Sequence, residues 1–211
     1  MGTQYRDAHS ASLVQKTSLK EDDMAVQAAP TNRNGVNVTQ LVATVEAIKA
    51  KPELAKFKFR AENTWESGGR SRTRIQSFYG AGQEDPSRTK PFELVGDEPP
   101  VLLGTDQAPN AVEAVLHALA SCIAVGFIYN AAARGIEVTA LSSSVEGDLD
   151  LQGFLGLSET VRPGFQNIRF RYQVKSNASR EKIEELCEYV QRTSPVLDII
   201  RNPVPVSIEL V

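Results

Sequence analysis

An α+β fold with antiparallel sheet is predicted by three features of this sequence. No residue from Ala114 to Ala133 is charged, segments of alternating polarity stand in pairs on both sides of that run, and two more helical patterns follow the second pair. Strands that arrive as neighbours joined by short turns pair antiparallel. Helices grouped between such pairs, instead of alternating with single strands, indicate α+β.

The elements follow in order. Residues 1–35 are polar and lack periodicity, apart from the turn pair Asn34-Gly35, and are expected to form a mobile N-terminal tail ahead of a domain over 36–211. Leu41, Val42, Val45 and Ile48 recur at helical spacing, which predicts a helix from Val38 to Ala50, stopped by Pro52. In FKFRAENTW, Phe57, Phe59, Ala61 and Trp65 share one face and Lys58, Arg60 and Glu62 the other, as in a half-buried strand. The turn SGGR at 67–70 leads into a second strand, Ser71 to Tyr79. Residues 81–109 read as loop, with two short apolar pieces, ELVG and PPVLLG. A long helix is predicted from Ala111 to Arg134, with Gly135 as its C-terminal cap.

IEVTALSSSVEGDLDL then reads as a long strand, and the chain turns near Pro163-Gly164. Ile168, Phe170, Tyr172 and Val174 alternate with Arg169, Arg171 and Gln173 in its partner. Ser179 caps a helix whose inward face is Ile183, Leu186, Cys187 and Val190. Ser194 and Pro195 are the N-cap and first residue of a further short helix. VPVSIELV is expected to be a final strand.

Composition narrows the function classes. With 41% hydrophobic and 23% charged residues the chain can bury an ordinary globular core. A net charge of −3 gives no basic field, so neither nucleic acid nor an anionic membrane surface is an expected partner. Two cysteines in 211 residues are not a disulfide framework, and no apolar leader precedes Lys16, so a cytoplasmic protein is expected. The uncharged run is long enough to span a bilayer, but His117, Ser121 and Asn130 interrupt it and alanine contributes little to insertion. The centre of a core or a dimer is the simpler place for it.

Several charged groups are best explained as solvated strand faces. Glu146, Asp148 and Asp150 share one face but lack the glycine and spacing of a calcium loop. Arg70, Arg72 and Arg74 share another, without the interleaved aromatics of a nucleic-acid surface. His9 and His117 are the two histidines, and with the two cysteines they form no recognised zinc spacing. No metal or other cofactor is expected.

The run LHALASCIAVGF leaves one chemical question, because it sets Cys122 in apolar surroundings. A buried cysteine is often mere packing. A thiolate in a dry pocket is the alternative, and it requires a nearby cation.

PNAVEAVLHALASC at 109–122, the following AARGIEV, and TSPVLDIIRNPVPV at 193–206 resemble the OsmC/Ohr family of thiol-dependent organic hydroperoxide reductases. The resemblance covers about residues 36–211. It implies an OsmC-like fold in an intertwined homodimer, with the long central helices buried back to back and active sites at the subunit interface. It also implies that Cys122 is the peroxidatic cysteine, that Arg70 holds the thiolate, and that Glu113 orients this arginine. Glu113 also stands three residues after Asn110, the spacing of a capping box. Ser194 and His117 are the expected substrate-binding residues; His117 has core packing as its other reading.

The sequence departs from the peroxidase pattern at Ser194, where a second cysteine would resolve the oxidised thiol. Cys187 is the other thiol available for that step, and its place on the apolar face of a helix favours packing. Two functions therefore stand open. One is a hydroperoxide reductase recycled by an external thiol; the other is a non-catalytic dimer that binds a small apolar or thiol-reactive ligand at its interface.

Overall fold

The computed structural model describes residues 32–211. The first described residues form a small hairpin, β1 (Asn32–Arg33) and β2 (Val36–Asn37), turned by Asn34 and Gly35 at positive φ. Residues 32–35 are thus structured where a tail is expected. Asn34 anchors them, donating to the Ile136 carbonyl at 2.9 Å and accepting from the Val138 N–H at 2.9 Å. The rest of the expected tail lies outside the described residues.

Asn37 caps α1 (Val38–Ala50), which has the predicted bounds. The strand expected over FKFRAENTW is two short strands in different sheets, β3 (Lys58–Phe59) and β4 (Glu62–Ser67). The next expected strand divides likewise into β5 (Arg70–Ile75) and β6 (Phe78–Gly80). β6 pairs with β3 and with β7 (Gln83–Glu84), whereas β5 lies between β4 and β8 (Phe92–Gly96). The meander therefore changes sheets at residues 60–61 and 76–77, and the apolar piece ELVG supplies a third strand within the expected loop. Its aromatic face is open in the single chain: Phe59 is 68% and Trp65 70% exposed.

The arginines of β5 are paired with carboxylates on the neighbouring strands. Arg70 and Arg72 both reach Glu66, at 2.8 and 2.7 Å, and Arg72 also reaches Glu93 at 3.1 Å. On exposed strands such pairs set register more than they stabilise.

α2 (Ala111–Ala133) carries Leu119, Ile123, Phe127 and Ala131 into the core, where they meet Leu186 and Val190 of α4 (Arg180–Thr193). Phe127 is fully buried, so its truncation to alanine costs about 3–5 kcal/mol. After α2, Gly135 adopts φ +74°, and a Cβ there would meet the Arg33 guanidinium at 2.7 Å. The helix end thus needs glycine for its backbone, whereas the flexible tip of Arg33 can shift aside. Burial of α2 is one-sided in the single chain; the all-round burial expected of it belongs to a dimer. His117, Ala118, Ser121, Val125 and Tyr129 are exposed because no element among the described residues covers that face.

β9 (Val138–Asp148) and β10 (Asn167–Ser176) form the predicted antiparallel pair, with Phe170 opposite Val145 and Arg169 opposite Glu146. Their inward residues close the core beneath α2. Outward, Arg169 bridges to Glu146 and Asp148, so the acidic strand face is an ion-pair ladder. Between them lies one helical turn, α3 (Leu151–Phe154), capped by Asp150. α5 (Pro195–Arg201) follows α4 directly. Residues 203–211 are not a strand. Val204, Val206, Ile208 and Leu210 keep the alternation of one, yet all are exposed and no strand among the described residues lies beside them.

Candidate functional site

The α4–α5 junction brings Ser194 onto α2. Ser194 closes α4 and opens α5, and Pro195, which has no N–H to satisfy, takes the first helical position. The Ser194 hydroxyl oxygen accepts the Leu197 N–H at 3.2 Å, as an N-cap does. The same oxygen lies 3.2 Å from Cys122 Sγ. Ser194 is 5% exposed and Cys122 is half-buried, so solvent competes little for this contact.

The bonding dictates a direction once the thiol ionises. The Leu197 amide uses a lone pair on Oγ and leaves the hydroxyl hydrogen available to sulfur. A thiolate accepts that hydrogen; a neutral thiol can donate to the oxygen instead. Ser194 therefore has one hydrogen to donate to the Cys122 sulfur.

The other expected site residues are placed apart from this contact. Arg70 gives its Nε–H to Glu66 at the β4–β5 hairpin. Glu113 accepts the Asn110 N–H at 2.9 Å while Asn110 accepts the Glu113 N–H at 2.9 Å, a complete capping box. Among the described residues, no hydrogen bond joins Arg70 to Glu113 or either one to Cys122. His117 is exposed on the open face of α2, so within the single chain it is not a core histidine. The helical spacing of His117 and Ser121 puts both on that face.

Cys187 faces the core from α4, and burial pushes its thiol up, with the Glu184 charge adding to the effect. The Tyr172 hydroxyl is also pushed up, to about 12, first by burial and then by Cys187. Its buried oxygen has no hydrogen-bond partner among the described residues. No cluster of histidine, cysteine and acidic side chains suited to a metal ion occurs among the described residues.

Two features are not anticipated by the sequence. Asp97, 2% exposed, accepts hydrogen bonds from the N–H groups of Glu98, Thr105 and Gln107 and from the Thr105 hydroxyl at 2.5 Å. It ties down the loop that leads into α2. The cluster of Asp97, Thr105 and Asp106 among prolines was the available signal, since such residues bond to nearby backbone. The second is a half-open cavity under α2 with two arginines at its edge, which no local spacing announces.

Known proteins share this arrangement of helices and strands. The family model described as OsmC-like protein matches residues 104–209, just over half of the 211-residue chain. An OsmC-like protein from Mycoplasma pneumoniae is similar in structure, with 18% identity and a TM-score of 0.52 over 69% of this chain and 89% of that one. An organic hydroperoxide resistance protein OsmC from Legionella pneumophila has 16% identity and a TM-score of 0.49 over 68% and 89%. A putative organic hydroperoxide resistance protein from Vibrio cholerae, with captopril bound in one active site, has 13% identity and a TM-score of 0.41 over 68% and 85%. No curated protein matches the sequence. The matched span begins before α2 and ends within the last segment, so it takes in both Cys122 and the Ser194 that touches it: the chain belongs to the family of OsmC-like proteins.

Proposed function

We propose that this OsmC-like protein reduces organic hydroperoxides through Cys122, as a homodimer with one cysteine per site and an external thiol as reductant. The observation that carries the reading is the 3.2 Å contact between Cys122 Sγ and the Ser194 hydroxyl. Either group can donate in that contact; with the hydroxyl as donor it supports a thiolate, the nucleophilic form.

In the proposed cycle the Cys122 thiolate attacks the outer peroxide oxygen. The S–O bond forms as the O–O bond breaks, giving a sulfenic acid and an alkoxide that leaves as alcohol after taking a proton. The peroxide is reduced by two electrons and sulfur is oxidised by two. A first external thiol condenses with the sulfenic acid, releasing water and forming a mixed disulfide. A second displaces Cys122 and restores it.

The dimer is part of the proposal. An apolar face of α2, the aromatic face of the meander and the alternating segment from Val204 to Leu210 are all open in one chain. Exposed apolar surface of this extent is characteristic of a contact with a second copy. A second copy would also bring another Arg70 to the open side of the thiol site, where a guanidinium would hold the thiolate and polarise the peroxide.

The other reading, a non-catalytic dimer binding a small apolar or thiol-reactive ligand, is favoured by the present commitments of Arg70 to Glu66 and of Glu113 to Asn110. The experiment that decides is consumption of cumene hydroperoxide by purified protein with a dithiol reductant. Loss of turnover in Cys122→Ser supports the reductase. Equal rates with and without that thiol exclude it.

A further inference from the structure

The geometry points to a second binding site, behind α2 and separate from the Cys122 thiol, for an amphiphile with an acyl chain and an anionic head such as a carboxylate. The space is a cavity of about 630 Å3 between α2, β10 and α5. That volume lies in the range of small-molecule sites, about 300–1,000 Å3. Its walls include Leu119 and Ile123 of α2, Ile168 and Phe170 of β10, and Leu197 and Ile200 of α5. Cys122 and Ser194 are not among the lining residues.

The charge of the lining names the head group. Arg162, in the loop before β10, and Arg201, at the end of α5, both line the cavity and are exposed at its edge. No acidic side chain lines it, and neither arginine is in an ion pair among the described residues. Elsewhere among the described residues eight arginines meet carboxylates, while Arg33, Arg88 and Arg134 do not, and of these Arg88 and Arg134 lie over aromatic rings. The inner walls of the hollow are aliphatic and aromatic, and its rim also carries Gln166, Asn167 and Gln191. Two guanidinium groups without a carboxylate partner, beside such a hollow, fit a carboxylate head, which each can hold by paired N–H donors, with its tail inside. A neutral oil would leave the arginines unused, and a cationic amphiphile would be repelled. The Tyr172 hydroxyl, unpartnered among the described residues, also belongs to the lining and adds one donor for a polar atom on the tail.

The face of α2 proposed for the dimer does not line the space. Leu119 and Ile123 are each 2% exposed and face inward. Ser121 and Val125 lie two residues beyond them, about 200° further round the helix, on the open face proposed for the dimer. The cavity is therefore on the far side of α2 from that contact.

Calorimetric titration of the purified full chain with dodecanoate, kept below its micelle concentration, tests the site. Saturable binding of one dodecanoate per chain is expected. Replacing both arginines, as Arg162→Gln with Arg201→Gln, should weaken dodecanoate binding by about tenfold or more, the loss expected for charge-assisted bonds. Binding of dodecanol should not change in that variant. Both arginines are exposed, so the variant keeps its fold, which circular dichroism checks. Ile200→Trp, which fills the hollow, should reduce binding of either ligand. Cys122→Ser should leave dodecanoate affinity as it is, whatever becomes of hydroperoxide turnover. The assignment is overturned by an absence of saturable binding, by equal affinity in the double arginine variant, or by loss of binding in Cys122→Ser.

Discussion

Cys122 Sγ and Ser194 Oγ stand 3.2 Å apart, although 72 positions separate them in the sequence. The contact exists because a short helix begins where α4 ends, and its N-cap serine is pressed onto α2. One hydroxyl thus serves a helix terminus and a thiol together. Ser194→Ala should cost about 1 kcal/mol of stability, the usual value of an N-cap. It should also slow alkylation of Cys122 at neutral pH, because the thiolate loses a donor. Urea unfolding and iodoacetamide kinetics measure the two effects. A stability loss with unchanged alkylation would reduce Ser194 to a cap.

How much of this was legible in the sequence depends on how local the signal is. Leu41 to Ile48 fixed α1, and Ile168 to Val174 against Arg169 to Gln173 fixed β10, because the periodicity lies within each segment. The meander was less legible. FKFRAENTW alternates continuously, but Lys58 pairs with Tyr79 while Glu62 pairs with Arg74, so the break between sheets is set by partners and not by the strand's own pattern. VPVSIELV shows the same limit from the other side: its alternation is intact, and among the described residues no strand lies beside it. For the site, the Ser194 cap and the Asn110–Glu113 capping box were readable from spacing, whereas the meeting of Ser194 with Cys122 required the family resemblance. Arg162 and Arg201 carry no local signal at all, since only the fold brings them to one cavity.

The exposed face of α2 predicts association. In dilute buffer the protein should be a dimer, and Val125→Asp, which puts a charge on that face, should shift it toward monomer. Light scattering across micromolar concentrations measures both. A wild type that is monomeric throughout that range would remove the dimer, and with it the supply of a second Arg70.

Arg70 has a discriminating test. If the partner's copy of this residue holds the thiolate, Arg70→Met should slow Cys122 alkylation at pH 7 by about tenfold, as loss of a close opposite charge does. The β4–β5 hairpin should persist, since Arg72 still bonds Glu66 at 2.7 Å. An unchanged alkylation profile would assign Arg70 to its pair with Glu66 alone.

Asp97 predicts a dependence of stability on acid. The Thr105 hydroxyl, followed by the Gln107, Glu98 and Thr105 N–H groups, holds its carboxyl well below the usual carboxylate range. A group depressed in the folded state adds stability that is complete above its unfolded value, about 3.9, and is lost as pH falls below that. The Asp97 contribution should therefore be constant from about pH 5 to 8 and decline below about pH 4. Asp97→Asn keeps the shape but loses the charge and one acceptor. It should be less stable than wild type at pH 7, with the difference narrowing in acid. Thermal unfolding of both proteins across pH 3–7 checks it, and a gap that stays constant with pH would remove ionised Asp97 as the cause.

Ser194→Cys tests the geometry and the redox reading together. In a Cys187→Ala background it leaves two thiols, one on α2 and one at the α4–α5 junction, in the place of atoms now 3.2 Å apart. A small rotation brings two sulfurs at that separation to the bond length of about 2.05 Å. Mild oxidation should then join Cys122 to the introduced thiol as a disulfide, seen as the loss of two hydrogens by intact mass and reversed by reductant. With serine kept at 194, oxidised Cys122 should instead stop at sulfenic acid and pass to sulfinic acid or a mixed disulfide with added thiol. The burial that pushes the Cys187 thiol up makes it a poor substitute resolver. The variant should accordingly survive repeated additions of hydroperoxide that inactivate the Cys187→Ala protein with Ser194 intact. If the disulfide forms under a general oxidant but hydroperoxide never modifies Cys122, the geometry stands and the reductase falls. If no disulfide forms at all, α2 and the α4–α5 junction do not meet as a redox pair, and Cys122 is core packing.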